Sequence, residues 1–542
     1  MEAKEVDTII KDVGQARLNY EMRWYIIDRF FDGVHFDRVL KVNSDGSFQL
    51  EKPTFQKGIR PIPIPRVDKQ IESILNILFF NKPVWKLYPL EADSILIDFT
   101  DKMGDAMDVL YDVLEIQNKL KLATADALKY YTSYLEVGID YKDNLFVEKW
   151  SPWSIYHDIG IENLEQTRFL IKVIKKTLQD IKLNSSYNQE VVEQIKTEGK
   201  ESFSMFYEQR FKEKFAHQIK LSDESKNFVL IKEVWFREGE TWKMGVECQG
   251  KWLREPQEVP YFPFIALTFG NSNDIYGTSL AEKLIPLNRE LDMLVAYIKH
   301  FIYTTSQGKL LEPKGSKIER ILDQHGERIR YEGGREPRWL DIPQLSPATT
   351  AFLQLLQTYM DERGIAVLSF GKLPSAKLGW KALESLKQIE LGNMQGFVEK
   401  ITETIRKIGY KILEIGENAW VGDDFNGYRI TNGDKTFNLV SEAAYRTMAK
   451  FQTDEKTIPI STKWGIKVEI ESGLAYTEEG KMEKLLELLK AGVVSPEEVR
   501  EKLKLGPSPV KEAEKALLEK VRTEAIAQEP LEQNLTEVGN LL

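Results

Sequence analysis

The strongest constraint on the fold lies between residues 279 and 420, where three helical stripes are separated by two unlike interruptions. Leu284, Leu287, Leu291, Leu294, Ile298 and Phe301 recur in steps of three and four, an a/d seam that lays one helix against a partner. Residues 308–345 then break into short, strand-like pieces punctuated by Gly and Pro. Ser346-Pro347 restarts a helix, with Ser as N-cap and Pro in the first turn. That helix carries Phe352, Leu355, Leu356 and Tyr359 and breaks at Gly364. Beyond the Gly/Pro-bearing loop Gly364–Gly379, a long helix runs to about Trp420. Leu391, Met394, Val398, Ile401, Ile405, Ile408, Ile412 and Ile415 stripe it. So short an excursion obliges the second helix to return antiparallel to the first. Neighbouring copies could pack such stripes into a ring of slanted helices; an intramolecular bundle satisfies them equally well.

The flanking sequence supplies both helices and strands, so the expected class is α+β. A helix is expected from Met1 to about Phe36, followed by a polar turn around Asn43, Asp45 and Gly46. The run Pro61-Ile62-Pro63-Ile64-Pro65 forbids a helix and favours an extended strap. Val67, Ile71, Ile74, Leu75 and Leu78 then line a second helix, 82–89 reads as a strand, and a longer helix is expected from Ser94 to Glu136. Asp143-Asn144 separates two strands, 137–141 and 146–150. Residues 177–225 read as charged, peripheral helix, Phe228–Leu253 as strands turning at Gly239 and Gly250, and Pro256–Pro263 as a linker-like crossing. Strands recur at 428–430 and 468–470. Short helices follow, one opened by the capping box Ser495-Pro496-Glu497-Glu498.

Composition narrows the functional class. No apolar run approaches a membrane span, and the first residues, with Glu2, Glu5 and Asp7, carry no secretory h-region. The single cysteine, Cys248, excludes an internal disulfide and a thiolate-cluster metal site. With 74 Lys plus Arg against 84 Asp plus Glu, the net charge is -10, which argues against tight gripping of nucleic acid, though not against a local basic patch.

Catalytic signals are sparse, and a non-enzymatic chain without a cofactor or metal is expected. His35, His157, His217, His300 and His325 never approach metal-ligand spacing. There is no P-loop, dinucleotide fingerprint or nucleophile elbow. The row Asp98, Asp101, Asp105, Asp108 and Asp112 reads as a solvated helix face. Asp140-Tyr141-Lys142 offers a carboxylate and a lysine on a strand, the pattern of a metal-dependent nuclease. No second strand-borne acid accompanies it, and a hairpin rim is the simpler reading.

Several segments, in order, resemble blocks of the podovirus-like portal proteins of tailed bacteriophages. Pro63-Ile64-Pro65-Arg66-Val67-Asp68-Lys69-Gln70-Ile71-Glu72 is similar to an early wing segment, Ala123–Asp140 to the next block, and Ser151-Pro152-Trp153-Ser154-Ile155-Tyr156-His157-Asp158 to a strand ending in a turn. Asp274-Ile275-Tyr276-Gly277-Thr278-Ser279 and Pro286-Leu287-Asn288-Arg289-Glu290-Leu291 resemble the approach to a stem helix. Leu378-Gly379-Trp380-Lys381-Ala382-Leu383-Glu384 resembles the stretch after a tunnel loop, with Leu378 where the family often has a small residue. The resemblance implies a wing over 1–278, stem helices at 279–305 and 347–363, and a clip at 306–346. It further implies a tunnel loop at 364–381, a long helix and wing return at 382–467, a crown at 468–526 and a disordered tail at 527–542.

The same resemblance implies a dodecameric ring at one capsid vertex of the virion, assembled in the host cytoplasm. Double-stranded DNA would pass through it during packaging and ejection. The partners implied are the terminase large subunit, head-completion or tail adaptors, and the major capsid and scaffolding proteins. Between Arg363 and Gln388, Lys372, Lys377, Lys381 and Lys387 face the single acid Glu384. Repeated around a ring, they would form a positive belt that touches DNA backbone without reading sequence. In the clip, Arg320, Arg328, Arg330, Arg335 and Arg338 alternate with acids, a pattern suited to a protein-binding edge for terminase or adaptors. A virion scaffold without a channel is the remaining alternative.

Overall fold

The computed structural model describes residues 1–42, 48–55, 59–79, 82–140, 144–195, 228–270, 274–306, 310–311, 317–318, 331–332, 338–339, 344–363, 380–420, 428–432, 435–448 and 457–469. The chain opens on two helices, α1 (Ala3–Ala16) and α2 (Leu18–Phe31), rather than one, because the backbone bends at Arg17. The hairpin β1 (Val39–Val42) and β2 (Phe48–Glu51) precedes the extended proline strap and α3 (Arg66–Leu78). Strand β3 (Val84–Pro89) follows.

The single helix expected from Ser94 to Glu136 is three: α4 (Ser94–Asp98), α5 (Thr100–Val113) and α6 (Ile116–Tyr130). Glu115 sits at φ 51 and Tyr131 at φ 77, so left-handed residues close one helix and launch β4 (Thr132–Ile139) earlier than the periodicity suggests. Strands β5 (Leu145–Trp150), β6 (Ile155–His157) and β7 (Phe169–Thr177) follow. Residues 177–195 hold only the short α7 (Leu178–Leu183) and α8 (Gln189–Val192).

Strands β8 (Phe228–Glu238), β9 (Thr241–Cys248) and β10 (Lys251–Val259) complete a five-stranded antiparallel sheet of order β10-β9-β8-β7-β6. Its turns fall at Gly239 (φ 66) and Gly250 (φ 77), conformations that glycine adopts without strain. Pro256, expected in a crossing, lies within edge strand β10. The register shifts there, as the missing N–H of a strand proline requires.

Strand β11 (Phe264–Thr268) joins a second sheet, β11-β4-β5. Its central strand β4 is buried on both faces. Leu135, Val137, Ile265 and Leu267 face the main core, and Tyr134 and Phe264 face a cluster with Trp235, Trp242 and Leu164 beneath the five-stranded sheet. This two-sided burial strands Glu136 in the interior. Lys172 Nζ lies 2.8 and 3.0 Å from its oxygens and 2.5 Å from Glu233, and Trp150 Nε1 donates to Glu136 at 2.7 Å. Burial pushes the Glu136 carboxyl up while Lys172 pulls it down.

The helix expected at 279–305 is α9 (Leu280–Ser306), N-capped by the Ser279 hydroxyl, which accepts from the Glu282 N–H at 3.0 Å. The excursion holds two small antiparallel pairs, β12 (Leu310–Leu311) with β15 (Arg338–Trp339) and β13 (Lys317–Ile318) with β14 (Tyr331–Glu332). Helix α10 (Pro347–Arg363) follows Ser346 as expected, and α11 (Trp380–Ala419) is 40 residues long. Met394, Ile401, Ile405, Ile408, Ile412 and Ile415 of its stripe are buried. They pack in the main core, where the helix lies against β4 and β11.

The chain closes with β16 (Tyr428–Asn432), β17 (Lys435–Ser441), α12 (Glu442–Met448), β18 (Thr457–Ile460) and β19 (Trp464–Glu469). β19 pairs antiparallel with β3, joining Val468 and Glu469 to the early part of the chain. The architecture is α+β. The described residues belong to one unit spanning Met1–Ile470.

Candidate functional site

The strap and its following helix grip both helices of the α9–α10 hairpin. Asp292 on α9, fully buried, accepts the Ile64 N–H at 3.0 Å and Asn288 Nδ2 at 3.1 Å, and pairs with His35 Nδ1. Asn288 Nδ2 also donates to the Ile64 carbonyl at 3.0 Å. Arg289 donates to the His35 and Arg38 carbonyls at 2.8 and 2.9 Å. Burial draws its pKa down to about 10, leaving it a cation at neutral pH. On the other helix, Arg66 meets Asp361 at 2.6 Å, and Gln70 donates to the Met360 carbonyl at 2.9 Å. One short segment, 64–70, thus touches 288–292 on α9 and 360–361 at the end of α10, tying the two helices together there.

Beyond this clamp the hairpin loses its cover. The last buried residue of α9 is Ala296, and on α10 only Leu356 and Met360 are buried. Tyr297, Ile302 and Tyr303 are exposed on α9, and Phe352 (46%), Leu355 (44%) and Tyr359 (46%) on α10. The last three stand at i, i+3 and i+7, a heptad seam with nothing from the described residues covering it. Residues 293–306 and 347–360 contain one charged side chain, Lys299. An ordinary solvated helix face is rich in charge; this one is composed like an interior.

Behind the start of α9, Tyr276 roofs a buried aromatic knot. Arg17 is fully buried: its Nε donates to Glu21 at 2.7 Å and its other nitrogens to the carbonyls of Pro152 (3.2 Å), Trp153 (3.1 Å) and Ile155 (2.6 Å). Its guanidinium lies 3.7 Å above the Tyr156 ring. His157, also fully buried, stacks on Tyr276 and lies 2.6 Å from both the Asp158 carbonyl and the Tyr134 hydroxyl. A carbonyl can only accept, so Nδ1 carries the proton and Nε2 accepts from Tyr134. Gly277 is required here, since a Cβ would stand 2.6 Å from the Tyr131 ring.

Burial drives the His157 pKa down to about 4. Its folded value lies below the unfolded one, so stability is complete above about pH 6.5 and falls as pH drops toward 4, by roughly 3 kcal/mol. Chemical denaturation between pH 7 and 4 is expected to show this loss, and His157→Gln to remove most of that slope. An unchanged slope in the variant would assign the acid sensitivity to other groups.

The candidate residues fall in different places. Lys381 and Lys387 lie in the first turns of α11 rather than in a loop, because Trp380–Leu386 contains good helix formers and no breaker. Lys372 and Lys377 lie outside the described residues, as do Lys142, Arg320, Arg328, Arg330 and Arg335, residues 470–526 and the tail 527–542. Arg338 is exposed on β15. Asp140 accepts from the Asn144 backbone N–H at 2.8 Å and its side-chain amide at 3.3 Å, the role of a turn-forming aspartate. Among the described residues no group of three or more His, Cys, Asp or Glu could hold a metal, and no helix is long and apolar enough to cross a membrane.

Sequence reading missed Arg17, Gln70, Asn288 and Asp292. The available signal was the i, i+4 pair of short polar residues, Asn288 and Asp292, beside an apolar seam. What the fold and this site define is a mixed α+β chain bearing a clamped helical hairpin with an apolar seam that none of the described residues covers. No protein-family model matches the chain, and no curated protein matches it either.

Proposed function

We propose that this chain is a phage portal subunit, forming a ring at one capsid vertex through which double-stranded DNA is packaged and ejected. The observation that carries the reading is the heptad seam of Phe352, Leu355 and Tyr359, exposed on a stretch of the hairpin, 293–306 and 347–360, whose one charged side chain is Lys299. Apolar helices held out beyond the core by a polar clamp are buried when copies stand side by side, and a heterologous contact repeated by rotation closes a ring. The order of segments resembling the portal family gives that ring its identity. In it α9 and α10 are stem helices, the strand pairs between them the clip, and the residues from 364 to the start of α11 the tunnel loop.

The clip, with Arg320, Arg328, Arg330, Arg335 and Arg338, docks the terminase large subunit and then the head-completion or tail adaptors. The belt of Lys372, Lys377, Lys381 and Lys387 meets the DNA backbone, while the acidic remainder of the chain keeps DNA from adhering. Major capsid and scaffolding proteins surround the ring in the virion, a dodecamer by family resemblance, and no cofactor takes part.

Negative-stain imaging of the purified protein tests the reading. Rings with an axial hole are expected; monomers, or filaments without a channel, would overturn it. Lys372→Glu with Lys377→Glu is expected to leave the rings intact while reducing DNA packaging or retention at least about tenfold. Undiminished packaging would remove the lysine belt from the mechanism.

A further inference from the structure

Strand β11 leaves an edge open inside a groove. Strand β11 is the outer strand of its sheet. Its inner side is bonded to β4: the Val137 N–H donates to the Pro263 carbonyl at 2.9 Å and the Phe269 N–H to the Tyr131 carbonyl at 3.2 Å. Alternation along an antiparallel ladder therefore turns the N–H and C=O groups of Phe264, Ala266 and Thr268 to the other side. Among the described residues nothing pairs with them. All five residues of β11 line a cavity of about 470 Å³.

Exposed edges are normally blunted by proline, lysine or a bulge. The chain does this at β10, which carries Lys251, Arg254, Pro256 and register shifts. β11, Phe-Ile-Ala-Leu-Thr, has none of these devices, so its edge is suited to being covered. The groove's two walls stand over the two faces of β11. On the face of Ile265 and Leu267 runs α11 with Lys400, Lys407 and Lys411 against Glu403 and Glu414. Lys400 and Lys407 share Glu403 at 3.5 and 3.0 Å, and Lys411 meets Glu414 at 2.8 Å, so this wall keeps one positive charge in excess. On the face of Phe264 the wall is the turn holding exposed Glu162 and Glu165.

We infer that this groove takes an extended segment of a partner protein by strand addition to β11, with acidic residues turned toward α11 and basic residues toward Glu162 and Glu165. Backbone pairing supplies affinity, and the walls select a strand whose charge alternates with the period of two. A second copy is a poorer occupant. Its β10 edge is blocked by Pro256, and its β5 edge brings along α6, tied to it by Lys149 and Asp126 at 2.5 Å. This inference does not rest on ring assembly.

The probe is a fluorescein-labelled peptide of about ten residues alternating glutamate and lysine, titrated against the full chain by fluorescence anisotropy. Two controls accompany it: the block isomer with all acids first, and a form N-methylated at alternate amides. The alternating peptide is expected to bind at least about tenfold more tightly than either control. Ala266→Pro, which removes an outward N–H and no ladder bond, is expected to weaken it by a similar factor with an unchanged circular dichroism spectrum. Glu162→Lys with Glu165→Lys, which leaves the edge intact, is expected to erase the preference for alternation. Absence of saturable binding, or equal binding by the N-methylated peptide, would overturn strand addition. Loss of self-association in Ala266→Pro without any peptide binding would overturn the partner in favour of a neighbouring copy. Imaging reads the rings separately, so failure here is distinguishable from failure of the portal reading.

Discussion

Phe352→Glu with Tyr359→Glu should leave a folded chain that no longer assembles. Both rings are about half exposed and neither carries a buried contact of the core, so substitution at the surface should change unfolding free energy by no more than about 0.5 kcal/mol. At an interface the same two rings would lose roughly 1 kcal/mol each of apolar burial, and each new carboxylate would have to be desolvated. Association should weaken by roughly 100-fold or more per contact. Sedimentation velocity and negative-stain imaging read the outcome directly. Rings surviving in the double variant would show that the open seam of α10 is not where copies meet.

The largest effect on stability belongs to Arg17→Ala. The guanidinium satisfies Glu21 and three backbone carbonyls at a fully buried position. Burial opposes its charge, but the surrounding Tyr156 and Glu21 hold its pKa above the ordinary value. Removing it takes the cation from beside the buried Glu21 carboxylate and a donor from three carbonyls, a loss of about 3–5 kcal/mol. Urea unfolding of the variant measures it. Arg17→Ala with Glu21→Gln should recover part of the loss, because the buried negative charge that Arg17 faced is then gone. A loss near 1 kcal/mol in the single variant would mean that water enters and satisfies these groups.

Periodicity reveals an element when one physical force dominates it. The 40-residue α11 was legible because its isoleucines face one core along its length, and the proline strap because ring geometry leaves little choice. Two strongly left-handed residues, Glu115 and Tyr131, divided a stretch that reads as one helix; backbone strain of that kind leaves no apolar signature. The apolar stripe of α9 and α10 was visible, but not which part of it the fold covers. The buried polar groups were hidden for a related reason. Glu136, Asp292 and Arg17 look like surface residues until their partners, far off in sequence, arrive.

The sequence by itself therefore determined the mixture of helices and strands, the two striped helices with a strand-bearing excursion between them, and the long helix that follows, since all of these follow from local pattern. Only the tertiary structure decided that the strap and α3 clamp the hairpin at Asp292 and Met360, and that none of the described residues covers the seam of Phe352, Leu355 and Tyr359. Apolar pattern states that a surface is to be buried. What buries it, the same chain or another, depends on where distant segments pack.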